Sequence, residues 1–211
     1  KRGINFHDRN EFDQCLLEVC GRALEKHQDG NILVFLPGSG DIQRASEKLE
    51  SQGLSQKQGV EIHKLYSRAK KEDQKRALAD GPQRKIILST NLAETSLTIP
   101  NVKVVIDSGL QKESNYNVKS GVQSLAVRRV ALDSATQRAG RAGRLSAGTC
   151  YKMWTRADEQ RFRKTTPAEI HRIDPIEFIL KVMSFDQSMD SFDFLEAPSS
   201  SQWELAIKRL E

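Results

Sequence analysis

The chain has 211 residues, 37% of them hydrophobic and 29% charged, with a net charge of +5. No apolar run approaches the about 20 residues needed to cross a bilayer as a helix, and no secretory signal opens the chain, so a soluble cytoplasmic protein with no membrane partner is expected. Three cysteines (Cys15, Cys20, Cys150) and four scattered histidines show no ligand spacing, which predicts free thiols in a reducing compartment and no metal site.

Residues 1–10 lack periodicity and read as a linker. Phe12, Leu16, Val19, Ala23 and Leu24 recur at helical spacing and predict a helix to about His27, ended by Asp29-Gly30. Ile32–Leu36 is a continuous apolar run, as expected of a strand buried on both faces. Pro37-Gly38-Ser39-Gly40 turns the chain, and Asp41 is the expected cap of a helix through Glu50. The alternation repeats with a strand near 60–66, a polar helix near 70–80, a strand at 85–89, a short helix around 93–96 and a strand at 102–107. Strands alternating with helices predict an α/β fold with a parallel sheet, whose ligands sit beyond the carboxyl ends of the strands.

Residues 111–130 break the pattern. A turn signal between two extended arms predicts a β-hairpin, carrying Lys112, Lys119, Arg128 and Arg129 against Glu113 alone. Residues 149–154 return as a strand. Thr166-Pro167 marks a boundary, beyond which 173–182 and 203–210 look like amphipathic helices of a smaller unit.

The most informative run is Gln137-Arg138-Ala139-Gly140-Arg141-Ala142-Gly143-Arg144. No Asp or Glu occurs from Ser134 to Gly148. On an α-helix Gln137, Arg141 and Arg144 fall within an arc of about 60°, while Arg138 points elsewhere. Gly140 and Gly143 each cost a helix about 1 kcal/mol relative to alanine, so the close approach of something else is their expected reason. Planar, permanently charged forks aimed at one point suit phosphate oxygens. A solvated face is the plain alternative, and Ser134-x-x-Gln137 also fits a capping box that would occupy the glutamine locally.

Ser89-Thr90-Asn91-Leu92-Ala93-Glu94-Thr95-Ser96-Leu97-Thr98-Ile99 and the arginine run together resemble two signature motifs of DEAH-box helicases. Phe35-Leu36-Pro37-Gly38 followed by Asp41-Ile42 is similar to an earlier motif of that family. Leu36–Arg44, Asp107-Ser108-Gly109-Leu110 and Arg144-Leu145 look closest to the bacterial HrpB-type branch. The resemblance implies that residues 11–165 form the second RecA-like domain of a motor, a parallel sheet flanked by helices with a β-hairpin insertion. Pro167-Ala168-Glu169-Ile170 and Phe192–Pro198 resemble the opening of a winged-helix domain, assigned to 166–211. The first RecA-like domain is expected to be missing, since neither a G-x-x-x-x-G-K-[ST] cradle nor a DEAH box is present. Asp158-Glu159-Gln160-Arg161 lies outside any strand-end context and is no substitute.

The resemblance assigns Arg141 and Arg144 as arginine fingers on the γ-phosphate of ATP, with Gln137 orienting that phosphate or the lytic water. Ser96 and Thr98 would join them near the nucleotide, and Mg²⁺ would be held mainly by the missing half. Arg138 is expected in a structural ion pair, Glu94 being one candidate, or in a functional role. Gly38, Thr90, Asn91 and Lys112 would contact the backbone of single-stranded RNA, or of DNA; for Thr90 and Asn91 ordinary turn formation is the alternative. Two positions depart from many members: Leu78 stands where a phenylalanine stacks on adenine, and Pro100 where an acid follows Ile99, so loose base selectivity is expected. The rival reading is a non-catalytic nucleic-acid or protein binding module on the same fold.

Overall fold

The central strands are apolar runs buried on both faces, which satisfy their backbone through neighbouring strands, while the two edge strands are more polar and only partly buried. In the computed structural model they are β1 (Asn31–Phe35), β2 (Val60–Leu65), β3 (Arg84–Ser89), β4 (Val102–Asp107) and β7 (Thr149–Lys152), all parallel, in the order β2-β3-β1-β4-β7. The structure describes residues 5, 6, 8–54, 56, 59–95, 97–117, 120–144, 147–184 and 193–210. Ser96 and Lys119, and with them Leu145 and Phe192 of the motifs above, lie outside the described residues.

The two faces of β1 feed two cores. Ile32, Val34 and Leu36 pack with Phe12, Leu16 and Leu24 of α1 (Arg9–Lys26) and Ile42 and Leu49 of α2 (Ser39–Ser51). Leu33 and Phe35 pack on the other face with Ile87, Val105, Ala77 of α3 (Lys71–Leu78) and Ala93 of α4 (Leu92–Thr95). Burying each large aliphatic side chain contributes about 1.5–3 kcal/mol, so central β1 anchors both layers. Asp8 caps α1, accepting from Asn10 N at 2.9 Å and Glu11 N at 3.2 Å. Buried Asp13 ties α1 to α2 through Arg44 at 2.9 Å and Lys48 at 3.2 Å.

One expected cap is not made. Helix α2 starts two residues earlier than Asp41, with Gly38 at its N-cap and no side-chain cap bond. Asp41 instead sits in the first turn, where the helix dipole favours an acid, and pairs with Arg44 at 2.9 Å.

The expected hairpin forms from β5 (Leu110–Asn117) and β6 (Val122–Arg129), closed by Gly121 at φ 63° with its N–H donating to Asn117 O at 2.8 Å. Helices α5 (Leu132–Ala139) and α6 (Arg156–Glu159) flank β7 in sequence. The chain divides into two compact units, residues 1–111 with 128–166, and residues 112–127 with 167–211. Within the second, α7 (Ile176–Ser184) buries Ile179 and Val182, and α8 (Ser200–Leu210) brings Arg209 to the Tyr116 hydroxyl at 3.0 Å and to Asp174 at 3.1 Å. Among the described residues no helix is long and apolar enough to cross a membrane.

Candidate functional site

The arginine run is not one α-helix. Helix α5 stops at Ala139, and Gly140–Gly143 continue as a 3-10 turn. Glycine is a poor helix former, and two in four residues let the backbone tighten to i→i+3 bonding. Arg141 lies in this turn and Arg144 directly follows it, so the two are not placed by α-helical spacing, while Gln137 stays exposed on the last turn of α5. The capping box does not form either: α5 has Ala131 at its N-cap without a side-chain bond, and Ser134 Oγ donates to Glu94 at 2.8 Å.

Arg138 is 1% exposed, and four of its five N–H donors are engaged. Its Nε donates to Glu94 at 2.9 Å, Nη1 to Asp107 at 3.1 Å and to Leu110 O at 3.2 Å, and Nη2 to Gln111 Oε1 at 3.2 Å. Its guanidinium lies 4.9 Å from the Phe35 ring centroid. Asp107 Oδ1 also accepts from Gly109 N at 2.9 Å, whereas Oδ2 is buried without a partner. Burial pushes the Asp107 carboxyl above its ordinary range, with Arg138 pulling the other way.

Arg141 is treated differently. It is 7% exposed, yet its partners are neutral: Nη1 donates to Leu97 O at 2.6 Å and Nη2 to Glu94 O. Two of its five N–H donors are used, leaving three. Arg144 is exposed and has no acidic partner among the described residues. Burial, and next the nearby Arg144, hold the Arg141 guanidinium below its ordinary pKa. The Glu94 carboxylate acts in the opposite direction without forming a salt bridge to Arg141. The two arginines line a small cavity whose other walls are Leu33, Ile99 and Val102. A Cβ added at Gly140 or Gly143 would meet nothing, so the low surface beside the arginines is open.

Of the candidate nucleotide residues, Arg141 and Thr98 come near each other: Arg141 bonds Leu97, Ile99 walls the cavity, and Thr98 between them is exposed. Leu78 packs half-buried against the apolar cluster of that same sheet face. Three of the candidate nucleic-acid residues, Gly38, Thr90 and Asn91, sit at the carboxyl edge of the sheet. Phe35 is in register with Ser89, which puts Gly38 and Thr90-Asn91 just beyond neighbouring strand ends. The uncapped first turn of α2 presents its N–H groups there. Thr90 takes part in a local turn, its Oγ1 accepting from Leu92 N at 3.4 Å, and Asn91 is exposed. Lys112 is exposed on β5 in the second unit. The sequence places Asp107 in a branch motif but gives neither it nor Gln111 a role; the signal that could have found that of Asp107 is an acid ending an apolar strand.

Residues 13–146 match the family described as the helicase conserved C-terminal domain. The chain belongs to that family. Similar to this helicase domain are the ATP-dependent RNA helicase HrpA of Borreliella burgdorferi, 40% identical over 92% of this chain and 24% of the relative, and DHX33 of Homo sapiens, 36% identical over 98% and 31%. Two solved structures of HrpB from Escherichia coli superpose with TM-scores of 0.83 and 0.86 at 30% identity, each covering 99% of this chain and 25% or 26% of theirs. The domain is thus a DEAH-type helicase C-terminal domain of RecA-like α/β fold, close to HrpB, and it spans about a quarter of the length of such relatives.

Proposed function

We propose that this chain is the second motor domain of an ATP-dependent RNA (or DNA) helicase, completing an ATP site whose phosphate cradle and Mg²⁺ ligands lie on a separate P-loop domain. The observation that carries the reading is the Arg141–Arg144 pair, which lines one small cavity and makes no salt bridge to a carboxylate among the described residues. The geometry fits a polyphosphate, because three unused donors on Arg141 and the whole guanidinium of Arg144 can meet anionic oxygens. Their role would be to stabilise charge developing on the transferred phosphoryl group, with Gln137 orienting that group or the attacking water. Ser96 and Thr98 would lie toward the nucleotide. Leu78 offers apolar contact without aromatic stacking and Pro100 accepts no ribose hydroxyl, so ATP and GTP should be used comparably.

Gly38, Thr90, Asn91 and Lys112 would follow a single strand along its phosphates, giving sequence-independent binding that weakens with salt as counterions are released. Residues 11–165 are read as the RecA-like domain and 166–211 as the opening of a winged-helix domain. Alone, the chain should not hydrolyse ATP measurably. The test is to supply a P-loop motor domain in cis or in trans and measure RNA-stimulated phosphate release. Activity that disappears when the arginine pair is removed supports the reading. RNA binding without any such activity favours the non-catalytic binding module instead.

A further inference from the structure

Glu94 receives three donors from one face of the segment that carries the arginines. Ser134 Oγ donates to its Oε1 at 2.8 Å, Arg138 Nε to its Oε2 at 2.9 Å, and Arg141 Nη2 to its main-chain oxygen. Ser134 and Arg138 are spaced i and i+4 on one face of α5, and Arg141 follows on the 3-10 turn that continues it. A residue gripped at three levels sets both the rotation of α5 and the point from which the 3-10 turn departs. Glu94 itself rides on α4, directly after the strand-end loop: its N–H donates to Asn91 O at 2.9 Å, and Ala93 N to Thr90 O at 3.3 Å. A displacement of that loop therefore moves the carboxylate and the carbonyl that hold Arg138 and Arg141.

We propose that Glu94 is a positioning residue that aims Arg141 and Arg144 and makes their aim depend on the Thr90-Asn91 loop. This rests on the reading above, and in it Glu94 touches neither nucleotide nor nucleic acid. Arg138 is also held from its far side by Asp107, Leu110 and Gln111, so shortening Glu94 leaves Arg138 anchored there. The loss falls on the link between α4 and the arginine turn. Because Asp107 also accepts from Arg138 at 3.1 Å, the reach of Glu94 matters more than its charge.

Three substitutions separate reach from charge. Glu94→Gln keeps length and an acceptor, Glu94→Asp keeps charge but is one methylene short, and Glu94→Ala keeps neither. In arginine side-chain NMR of the 211-residue chain, the bonded Nη protons of Arg141 should give separate, slowly exchanging signals. These should persist in Glu94→Gln and collapse in Glu94→Asp and Glu94→Ala; unchanged Arg141 signals in the latter two overturn the proposal. In the full-length protein with its P-loop domain, kcat for RNA-stimulated hydrolysis should fall about tenfold in the Asp and Ala variants, with KM for ATP held within about twofold and Glu94→Gln near the unsubstituted protein. Equal losses in Gln and Asp variants that track their unfolding temperatures would reduce Glu94 to a stabilising ion pair and also overturn it. If Arg141→Ala itself leaves turnover intact, the phosphate reading fails, and the NMR result alone decides whether Glu94 positions Arg141.

Discussion

Arg138 and Arg141 are three residues apart in one run, and both are nearly removed from solvent, at 1% and 7% exposure. The first is enclosed by Glu94 and Asp107; the second reaches only backbone carbonyls and has another cation, Arg144, beside it. Burying a cation opposite carboxylates closes an account within the molecule, whereas burying one against neutral dipoles leaves its charge to be met by something else. In the proposed reading, the distinction between a structural and a functional arginine lies in what neutralises it, not in its burial or its spacing.

The comparison breaks first if activity ignores it. Arg141→Ala in the full-length protein should lower RNA-stimulated phosphate release by about 10³-fold while costing only about 1 kcal/mol of stability. Stopped-flow phosphate release beside a urea titration of the same variant reads both halves, and a large stability loss with modest kinetic loss would exchange the roles assigned to the two arginines. Arg138→Leu should do the reverse to the fold. It leaves Glu94 and Asp107 facing each other without a cation, at a cost of about 3–5 kcal/mol in urea unfolding. Combining it with Glu94→Gln and Asp107→Asn should recover much of that loss, because no buried charge then lacks a partner. A triple variant no better than Arg138→Leu alone would mean that the hydrogen bonds, not the charges, matter there.

Much of this architecture was readable from residues alone because it depends on local patterns. The apolar runs at β1, β3 and β4, the turn signal of the hairpin, and the Asp29-Gly30 stop each announce themselves within a few positions. What was not readable depends on distant partners. Ser134 looked like half of a capping box, but Glu94, forty residues away in sequence, takes its hydroxyl. Asp107 gave no sign of its role because Arg138, which makes its burial tolerable, is 31 positions later. The 3-10 geometry has a local cause: Gly140 and Gly143 let the helix tighten, which their spacing does not distinguish from openings for a partner. Ser96, assigned by resemblance, lies outside the described residues.

A third, smaller effect probes how the arginine turn is seated. Buried Ala142 sits between Arg141 and Gly143, and a methyl at Gly148 would collide with its carbonyl and its Cβ. Gly148→Ala should therefore cost about 1–3 kcal/mol through overpacking and shift the turn as a unit. Amide exchange across 140–144 should quicken in the variant while that of β1 stays unchanged. Exchange that quickens equally in both would mean that the turn has no independent seat, and the contrast between its two arginines would lose its mechanical basis.

The smallest effect concerns the carboxylate on the neutralised side. Burial raises the folded-state pKa of Asp107 above its value in the unfolded chain, so the folded state holds that proton more tightly. The stability this supplies is complete below the unfolded value of about 3.9 and is lost as pH rises through the higher folded value. Asp107→Asn removes the titration but keeps the shape and one acceptor for Arg138. Urea midpoints taken from about pH 4 to pH 8 should then show the variant gaining on the unsubstituted chain as pH increases. The opposite slope would mean that Arg138 outweighs burial and holds Asp107 ionised throughout. The enclosed arginine would then sit in a fully charged triad, and the charge difference between it and Arg141 would be larger than the raised pKa implies.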